Sequence, residues 1–141
     1  MKTPWHVWLI GILSLLWNAG GIVDYLMSQL AVESYLGQMT PEQRAYFDSF
    51  PTWAVVFWAL GVWGAFAGSI LLLLRSRYAA AAFGISLIGL LANTGRLFAT
   101  VGAGVVDLLG RGALIFTAVL ILVALALWLY ARAMARRGVL R

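Results

Sequence analysis

The sequence predicts an all-α membrane protein: a four-transmembrane-helix antiparallel bundle with a short interfacial helix in its first outer loop. Four apolar stretches carry this prediction, since each is long enough to cross a hydrocarbon layer about 30 Å thick as a helix that rises about 1.5 Å per residue. Charged residues make up only 11% of the chain, against about 25% in a soluble domain. We therefore expect a single integral membrane domain over residues 1–141, with spans at roughly 5–30, 51–74, 78–101 and 112–131.

Basic residues indicate the orientation. Four spans place the N-terminus, the second connection and the C-terminus on one side, and that side carries seven of the ten Lys and Arg residues: Lys2, Arg75, Arg77, Arg132, Arg136, Arg137 and Arg141. Because the side richer in Lys and Arg faces the cytoplasm, we expect both termini there. Charges that flank spans in this way favour the lipid bilayer, and not nucleic acid, as the partner of this basic chain.

A cleaved signal peptide is the alternative interpretation of the first apolar stretch, because Lys2 followed by an apolar run is typical of both a signal peptide and a retained helix. The run over residues 5–30 is longer than a usual signal core, and no clean small-x-small cleavage site follows it. We therefore expect a retained helix.

The first outer connection, residues 31–50, contains a helix start. Thr40 can cap, Pro41 suits the first helical position, and Gln43 can complete a capping box. Aromatic residues follow at near-helical spacing, which predicts an interfacial helix over roughly 41–49 with its rings in the headgroup layer. An irregular loop is the alternative.

The other connections and the small residues predict how the spans pack. The link Arg75-Ser76-Arg77 is so short that spans two and three must be antiparallel neighbours. Gly61, Gly64 and Gly68 share one face of span two, and such faces let helix backbones approach closely in lipid. Residues 102–111 are too apolar for a solvated loop and predict a continuing helix or a turn tucked against the bundle. The fourth span is aliphatic all round, which predicts a lipid-facing helix.

Polar residues inside spans are costly in lipid and are the best pointers to function. Those of span one fall within an arc of about 140° and those of span three within about 80°. The polar residues of span one are Ser14, Asn18, Asp24, Tyr25, Ser28 and Gln29, and Trp17 and Gly21 lie within the same arc. The span-three set is Ser86, Asn93, Arg96 and Thr100. We expect these two faces to turn toward each other or toward a cavity.

Helix rise places Asp24 and Arg96 at one level, about 28 and 27 Å from Trp5 and Tyr78 at the cytoplasmic ends of their helices. A carboxylate and a guanidinium at that depth should pair. Such a pair either locks two helices together or works as a gate or anion-binding arginine. Otherwise Arg96 reaches water or pairs with Asp48 or Asp107.

Asn18 and Asn93 lie deeper, about 20–22 Å from the cytoplasmic edge. Their side-chain amides either hydrogen-bond to each other and hold the two helices together, or they line a hydrated pocket with Trp17 as an apolar wall. The small side chains that flank the amides favour the pocket. The candidate ligand-binding or gating residues are therefore Trp17, Asn18, Asp24, Tyr25, Gln29, Asn93 and Arg96.

Residues typical of metal sites, catalytic sites or phosphate-binding loops are scarce in this sequence. The chain has no cysteine and one histidine, His6, so no metal-ligand set is evident from the sequence. No Ser/His/Asp set or phosphate-binding loop is evident either. We expect no enzyme activity and no cofactor.

The first 75 residues contain four motifs: Trp17-Asn18-x-x-Gly21-x-x-Asp24-Tyr25, Thr40-Pro41-Glu42-Gln43, Pro51-x-Trp53-Ala54 and Gly61-x-x-Gly64. With these motifs the chain resembles a group of small four-helix bacterial inner-membrane proteins, mostly uncharacterised, some of which carry the automatic label "sugar transporter". The resemblance implies the four-helix fold and a location in a bacterial inner membrane. Spans three and four match the group only in length and hydrophobicity.

Two functions fit these observations. In the first, the protein binds or transports a small solute or lipid through a polar seam between spans one and three, as a homo-oligomer. In the second, it is a non-enzymatic accessory or stabilising subunit of a larger membrane complex. A cavity that reaches Asn18 and Asn93 favours the first, and a dry seam with an exposed small-residue face on span two favours the second.

Overall fold

The structure is a computed structural model that describes residues 3–29, 37 and 39–141; the side chains of residues 28, 29, 47, 103, 105 and 109 also lie outside the description. Four helices in the described part are long and apolar enough to cross a membrane. These confirm the predicted all-α, four-span fold. The described helices are α1 (Trp5–Gln29), α2 (Pro41–Asp48), α3 (Thr52–Leu73), α4 (Tyr78–Val101), α5 (Val105–Leu109) and α6 (Arg111–Arg136), with a 3-10 turn at Gly102–Gly104.

Helix α2 begins with the predicted capping box. The backbone N–H of Gln43 donates to Thr40 Oγ1 at 3.1 Å, and the N–H of Thr40 donates to Gln43 Oε1 at 3.2 Å. These reciprocal bonds satisfy two amide groups that a helix start leaves without partners. The Gln43 side chain also donates to Leu108 O at 2.9 Å, so α2 is docked on α5. The helical alternative is confirmed, and its position at the membrane interface stays a prediction.

The glycine face of α3 packs against α4, the most extensive of the three main helix contacts; α1 packs on α3, and α4 on α6. A β-carbon on Gly64 would lie 3.2 Å from Ala82 O, and one on Gly89 would lie 2.8 Å from Gly61 N and closer still to Phe57 O. Backbone therefore meets backbone along this pair, which is the close approach that small residues permit in lipid.

Helix α6 runs about one turn beyond its predicted end, because Ala133 to Ala135 favour helix and Met134 is buried. Gly138, at φ 75°, then reverses the chain. The tail folds back so that Val139 and Leu140 are only 6% and 3% exposed. Its last residue, Arg141, pairs with the α3–α4 link: Arg141 N donates to Arg75 O at 2.8 Å, and Arg77 N donates to Arg141 O at 2.9 Å.

We call this end of the bundle the basic end, and the opposite end, with α2 and α5, the α2 end. At the basic end the helices share one buried cluster: Val7, Leu72, Ala79, Phe83, Leu127, Ala131, Met134, Val139 and Leu140. A hydrogen bond between His6 Nδ1 and the Tyr130 hydroxyl joins α1 to α6 there. The basic end is therefore closed by packed side chains.

Candidate functional site

The polar face of α1 is satisfied by α3. Asn18 Nδ2 donates to Ala65 O at 3.1 Å and to Ser69 Oγ at 2.9 Å. Ser14 Oγ also lies 2.9 Å from Ser69 Oγ. Ser14, Asn18 and Ser69 are all buried, and buried polar groups require such partners.

The polar face of α4 turns to the same helix. Ser86 Oγ donates to Gly61 O at 2.6 Å. With the amide of Asn93 oriented to suit its partners, Nδ2 donates to Ala54 O at 3.2 Å and Oδ1 accepts from Trp58 N at 2.8 Å. Asn18 and Asn93 therefore each bond to α3 and not to each other. Of the two predicted arrangements, the polar faces do not meet directly, because α3 packs against both helices and supplies the partners. Residues of both faces, Asn18, Ser86 and Asn93, instead line a cavity.

Arg96 makes its contacts with the α2 segment. Its Nη2 donates to Ser49 O over a long 3.5 Å, and its guanidinium carbon lies 4.6 Å from the ring centre of Phe50 and 5.3 Å from that of Tyr46. Cations at such distances are attracted by aromatic faces. Nη1 is buried and has no hydrogen-bond partner within the described part of the chain.

The predicted Asp24–Arg96 ion pair is not formed among the described residues. Helix rise placed both side chains correctly at the α2 end, but it carries no information on their directions around the bundle. Asp24 lines a cavity, whereas Arg96 lies under two rings of the α2 segment.

A cavity of about 670 Å³ lies between the four long helices. Its polar lining consists of Asn18, Ser86 and Asn93, and Asp24 is the one charged residue among the described residues that line it. Aromatic and aliphatic side chains form the remainder of the wall. Ligand pockets of about 300–1,000 Å³ with a few polar groups in an apolar wall are typical of small-molecule sites.

The cavity opens between α1 and α6. Its lining residues on α1 and α6 include strongly exposed ones: Leu16 is 67% exposed, Trp17 40% and Phe116 54%, whereas Phe83 and Ser86 on α4 are 1% and 3% exposed. The Trp17 and Phe116 rings lie 6.0 Å apart at this opening. Leu16 and Trp17 are about 17–18 Å along α1 from Trp5, which is a depth of hydrocarbon. We therefore expect the opening to face lipid.

The cavity is blind at the basic end. Phe83 and Leu127 form its wall and also belong to the buried cluster at that end. At the other end the lining reaches Asp24, Trp58 and Asn93. The site is thus a pocket, apolar at its floor and polar toward the α2 end.

The structure brings four of the predicted site residues to one place: Trp17, Asn18, Asp24 and Asn93 line the cavity. The Tyr25 ring packs edge-on against Trp58, with centroids 5.0 Å apart, so it supports the wall. Arg96 lies with α2, and the Gln29 side chain lies outside the described residues.

Sequence reasoning predicted α6 to be the lipid-facing helix and missed its contribution to the cavity. One stripe of α6 lines the cavity: Phe116, Leu120, Val123, Ala124 and Leu127. These positions share a helix face. Since every other face of α6 is also apolar, no contrast in polarity marks that stripe.

Comparison of this chain with protein families, with curated proteins and with solved structures finds no match. The resemblance of the first 75 residues to small four-helix inner-membrane proteins therefore stays a prediction, and the function is argued from the cavity.

Proposed function

We propose that this integral membrane protein binds a small apolar or amphiphilic molecule that enters its cavity from the lipid. The observation that carries the proposal is the cavity of about 670 Å³, which opens between α1 and α6 at hydrocarbon depth. A molecule dissolved in the bilayer reaches such an opening without crossing water. The class of ligand is therefore a lipid or a lipid-soluble solute.

The lining of the cavity suits an amphiphilic molecule, which has an apolar body and a polar group. Trp17, Phe116 and Leu120 offer an apolar wall to its body. Asp24 and Asn93, toward the α2 end, offer a carboxylate and an amide to its polar group. A few polar groups in an apolar wall orient a ligand and give it specificity.

The same features weigh against the accessory-subunit alternative. That alternative calls for a dry seam and an exposed small-residue face on span two. Gly61, Gly64 and Gly68 instead lie against α4, and the bundle contains a cavity. The described residues of one chain line the cavity on all four long helices, so the proposed binding does not depend on a homo-oligomer or a partner complex. Transport would in addition require the packed basic end to open.

With both termini in the cytoplasm of a bacterial cell, the polar end of the cavity faces the outer leaflet. The orientation follows from the excess of basic residues at the basic end. We therefore propose the outer leaflet of the inner membrane as the source of the ligand.

Photo-crosslinking tests the proposal. The protein in nanodiscs of phosphatidylcholine is irradiated with a long-chain alcohol that carries a diazirine in its tail, and the labelled residues are mapped by mass spectrometry. Phe83 and Ser86 are buried and line the cavity, so label there comes from a molecule inside it. We expect label at both residues.

Two matched glycine variants complete the test. In Gly21→Leu the new side chain enters the cavity, since a β-carbon there meets only Val62 Cγ1, at 4.0 Å. In Gly95→Leu it enters open space, as nothing lies within 4 Å of the β-carbon position. We expect Gly21→Leu to abolish the label at Phe83 and Ser86, and Gly95→Leu to keep it. Label that never reaches these residues, or that survives Gly21→Leu, would refute binding in the cavity.

A further inference from the structure

The charge of the cavity is opposite in sign to that of the protein. The chain carries ten basic and five acidic residues, a formal net charge of +5. Among the described residues, no lysine or arginine lines the cavity, whereas Asp24 does. A carboxylate in the lining attracts a positive ligand and repels a negative one. The cavity therefore favours a positive ligand.

Arg96, which helix rise places at the level of Asp24, makes its contacts away from the cavity wall. The guanidinium of Arg96 lies against the rings of Phe50 and Tyr46, on the α2 segment. Its Nη2 donates to Ser49 O on the same segment. Arg96 is not among the lining residues, so the carboxylate, and not the guanidinium, meets a molecule inside the cavity.

Aromatic side chains belong to the same cavity wall as Asp24. Trp17, Phe57, Trp58 and Phe116 all line the cavity, and Trp58 is braced by the rings of Tyr25 and Phe50 at 5.0 and 6.0 Å between centroids. Aromatic faces attract cations, most strongly when water is excluded, and they also pack against apolar groups. A carboxylate with an aromatic wall suits a cation whose charge is spread over an apolar body.

We propose that the ligand is a lipophilic organic cation, with its charge at Asp24 and its apolar body between Trp17 and Phe116. This inference rests on the proposed function and deepens it by naming the chemical class. It follows from the sign of the lining charge, the aromatic wall and the opening to lipid taken together.

Two ions of one shape and opposite charge test the inference. Binding of tetraphenylphosphonium and of tetraphenylborate to the protein in phosphatidylcholine nanodiscs is measured by calorimetry, with empty nanodiscs subtracted. We expect the cation to bind at least about tenfold more tightly, because its charge gains a partner in the cavity. The net charge of the protein, +5, would favour the anion, so a preference for the cation reports on the site.

Matched carboxylate variants locate the effect. Asp24→Asn removes the lining charge, and we expect it to weaken tetraphenylphosphonium binding by about tenfold or more. Asp24 and Asp107 are both exposed, and Asp107→Asn makes the same change on α5, outside the lining of the cavity. We expect that control to alter the affinity by less than about twofold, because the interaction between two charges weakens with distance and is screened by salt.

Equal affinity for the two ions, or equal losses in Asp24→Asn and Asp107→Asn, would overturn the inference. If the photoreactive alcohol still labels Ser86 in that case, the cavity binds apolar molecules without selecting a charge, and only the cation proposal fails. If neither the alcohol nor the cation binds, the proposed function fails as well.

Discussion

The two ends of the bundle are built in opposite ways. At the basic end, side chains from four helices and the folded-back tail fill the interior, and Leu72 and Ala131 have no exposed surface. Toward the α2 end the same four helices enclose a cavity of about 670 Å³. The interior is therefore filled at the basic end and holds a cavity farther along the bundle, where α1 and α6 make no extensive contact with each other.

The difference teaches that α3 is the structural centre of the molecule. It packs on both α1 and α4 along its length and supplies the partners of both buried asparagines, including Ala65 O and Ala54 O. Helix α6 rests on α4 alone among the extensive helix contacts. A bundle assembled in this way can stay open between α1 and α6 without leaving those amides unsatisfied.

The largest effect is expected where α3 meets α4. In Gly89→Leu the side chain would collide with the backbone at Phe57 and Gly61, which cannot move without separating the helices. Gly95→Leu, on the same helix, points into open space. We expect Gly89→Leu to lower the free energy of unfolding by about 3 kcal/mol or more, and Gly95→Leu to leave it within about 1 kcal/mol. Unfolding in mixed detergent micelles measures both, and similar values would refute the close approach.

The contrast between the two ends is tested by one substitution at two sites. Leu72 is fully buried in the cluster at the basic end, and Leu120 lines the cavity. We expect Leu72→Ala to cost about 2–5 kcal/mol of unfolding free energy. Leu120→Ala should cost less than about 1 kcal/mol, because one side of that leucine already lacks packing atoms. Equal costs would mean that the α2 end is packed as tightly as the basic end.

A smaller loss of unfolding free energy is expected when the asparagines Asn18 and Asn93 are replaced. Asn18→Leu and Asn93→Leu should each cost about 0.6–1.7 kcal/mol, the usual range for hydrogen bonds between membrane helices. Since each amide bonds to α3 and not to the other, the double variant should show the sum of the two costs within about 0.5 kcal/mol. A coupling energy above 1 kcal/mol, about twice that tolerance, would show that the asparagines bond to each other after all.

The smallest effect concerns the link at the basic end. Arg75 has φ 58°, in the left-handed region that favours glycine. Both Arg75→Gly and Arg75→Ala lose the hydrogen bond from Arg75 Nη1 to Thr3 Oγ1. We expect the glycine variant to be more stable than the alanine variant by about 1 kcal/mol. An alanine variant as stable as the glycine variant would contradict this backbone conformation.

Much of the fold could be predicted from the sequence because it depends on local patterns. The lengths of the apolar stretches fixed the spans to within a residue or two at most ends, and Thr40 with Gln43 marked the start of α2. The fold-back of Val139 and Leu140 was missed, although Gly138 before two apolar residues is the usual sign of it.

The candidate site could be predicted only in part. Helical periodicity identified Asn18, Asp24 and Asn93 as members of polar faces, and all three line the cavity. Helical periodicity could not predict which neighbouring helix each polar face contacts. The hydrogen-bond acceptors include backbone carbonyls such as Ala65 O, and every helix carries backbone carbonyls. The Asp24–Arg96 pair failed for this reason: equal depth does not determine direction.

The most direct test of the account is an experimental structure of the protein in a lipid nanodisc, at a resolution that shows side chains. We expect non-protein density in the cavity, between Trp17 and Phe116 and extending toward Asp24, while the cluster around Leu72 at the basic end is filled by protein alone. A structure in which α1 and α6 pack side by side along their length, with Trp17 and Phe116 filling the space between them, would contradict the central claim that the bundle holds a ligand at its α2 end.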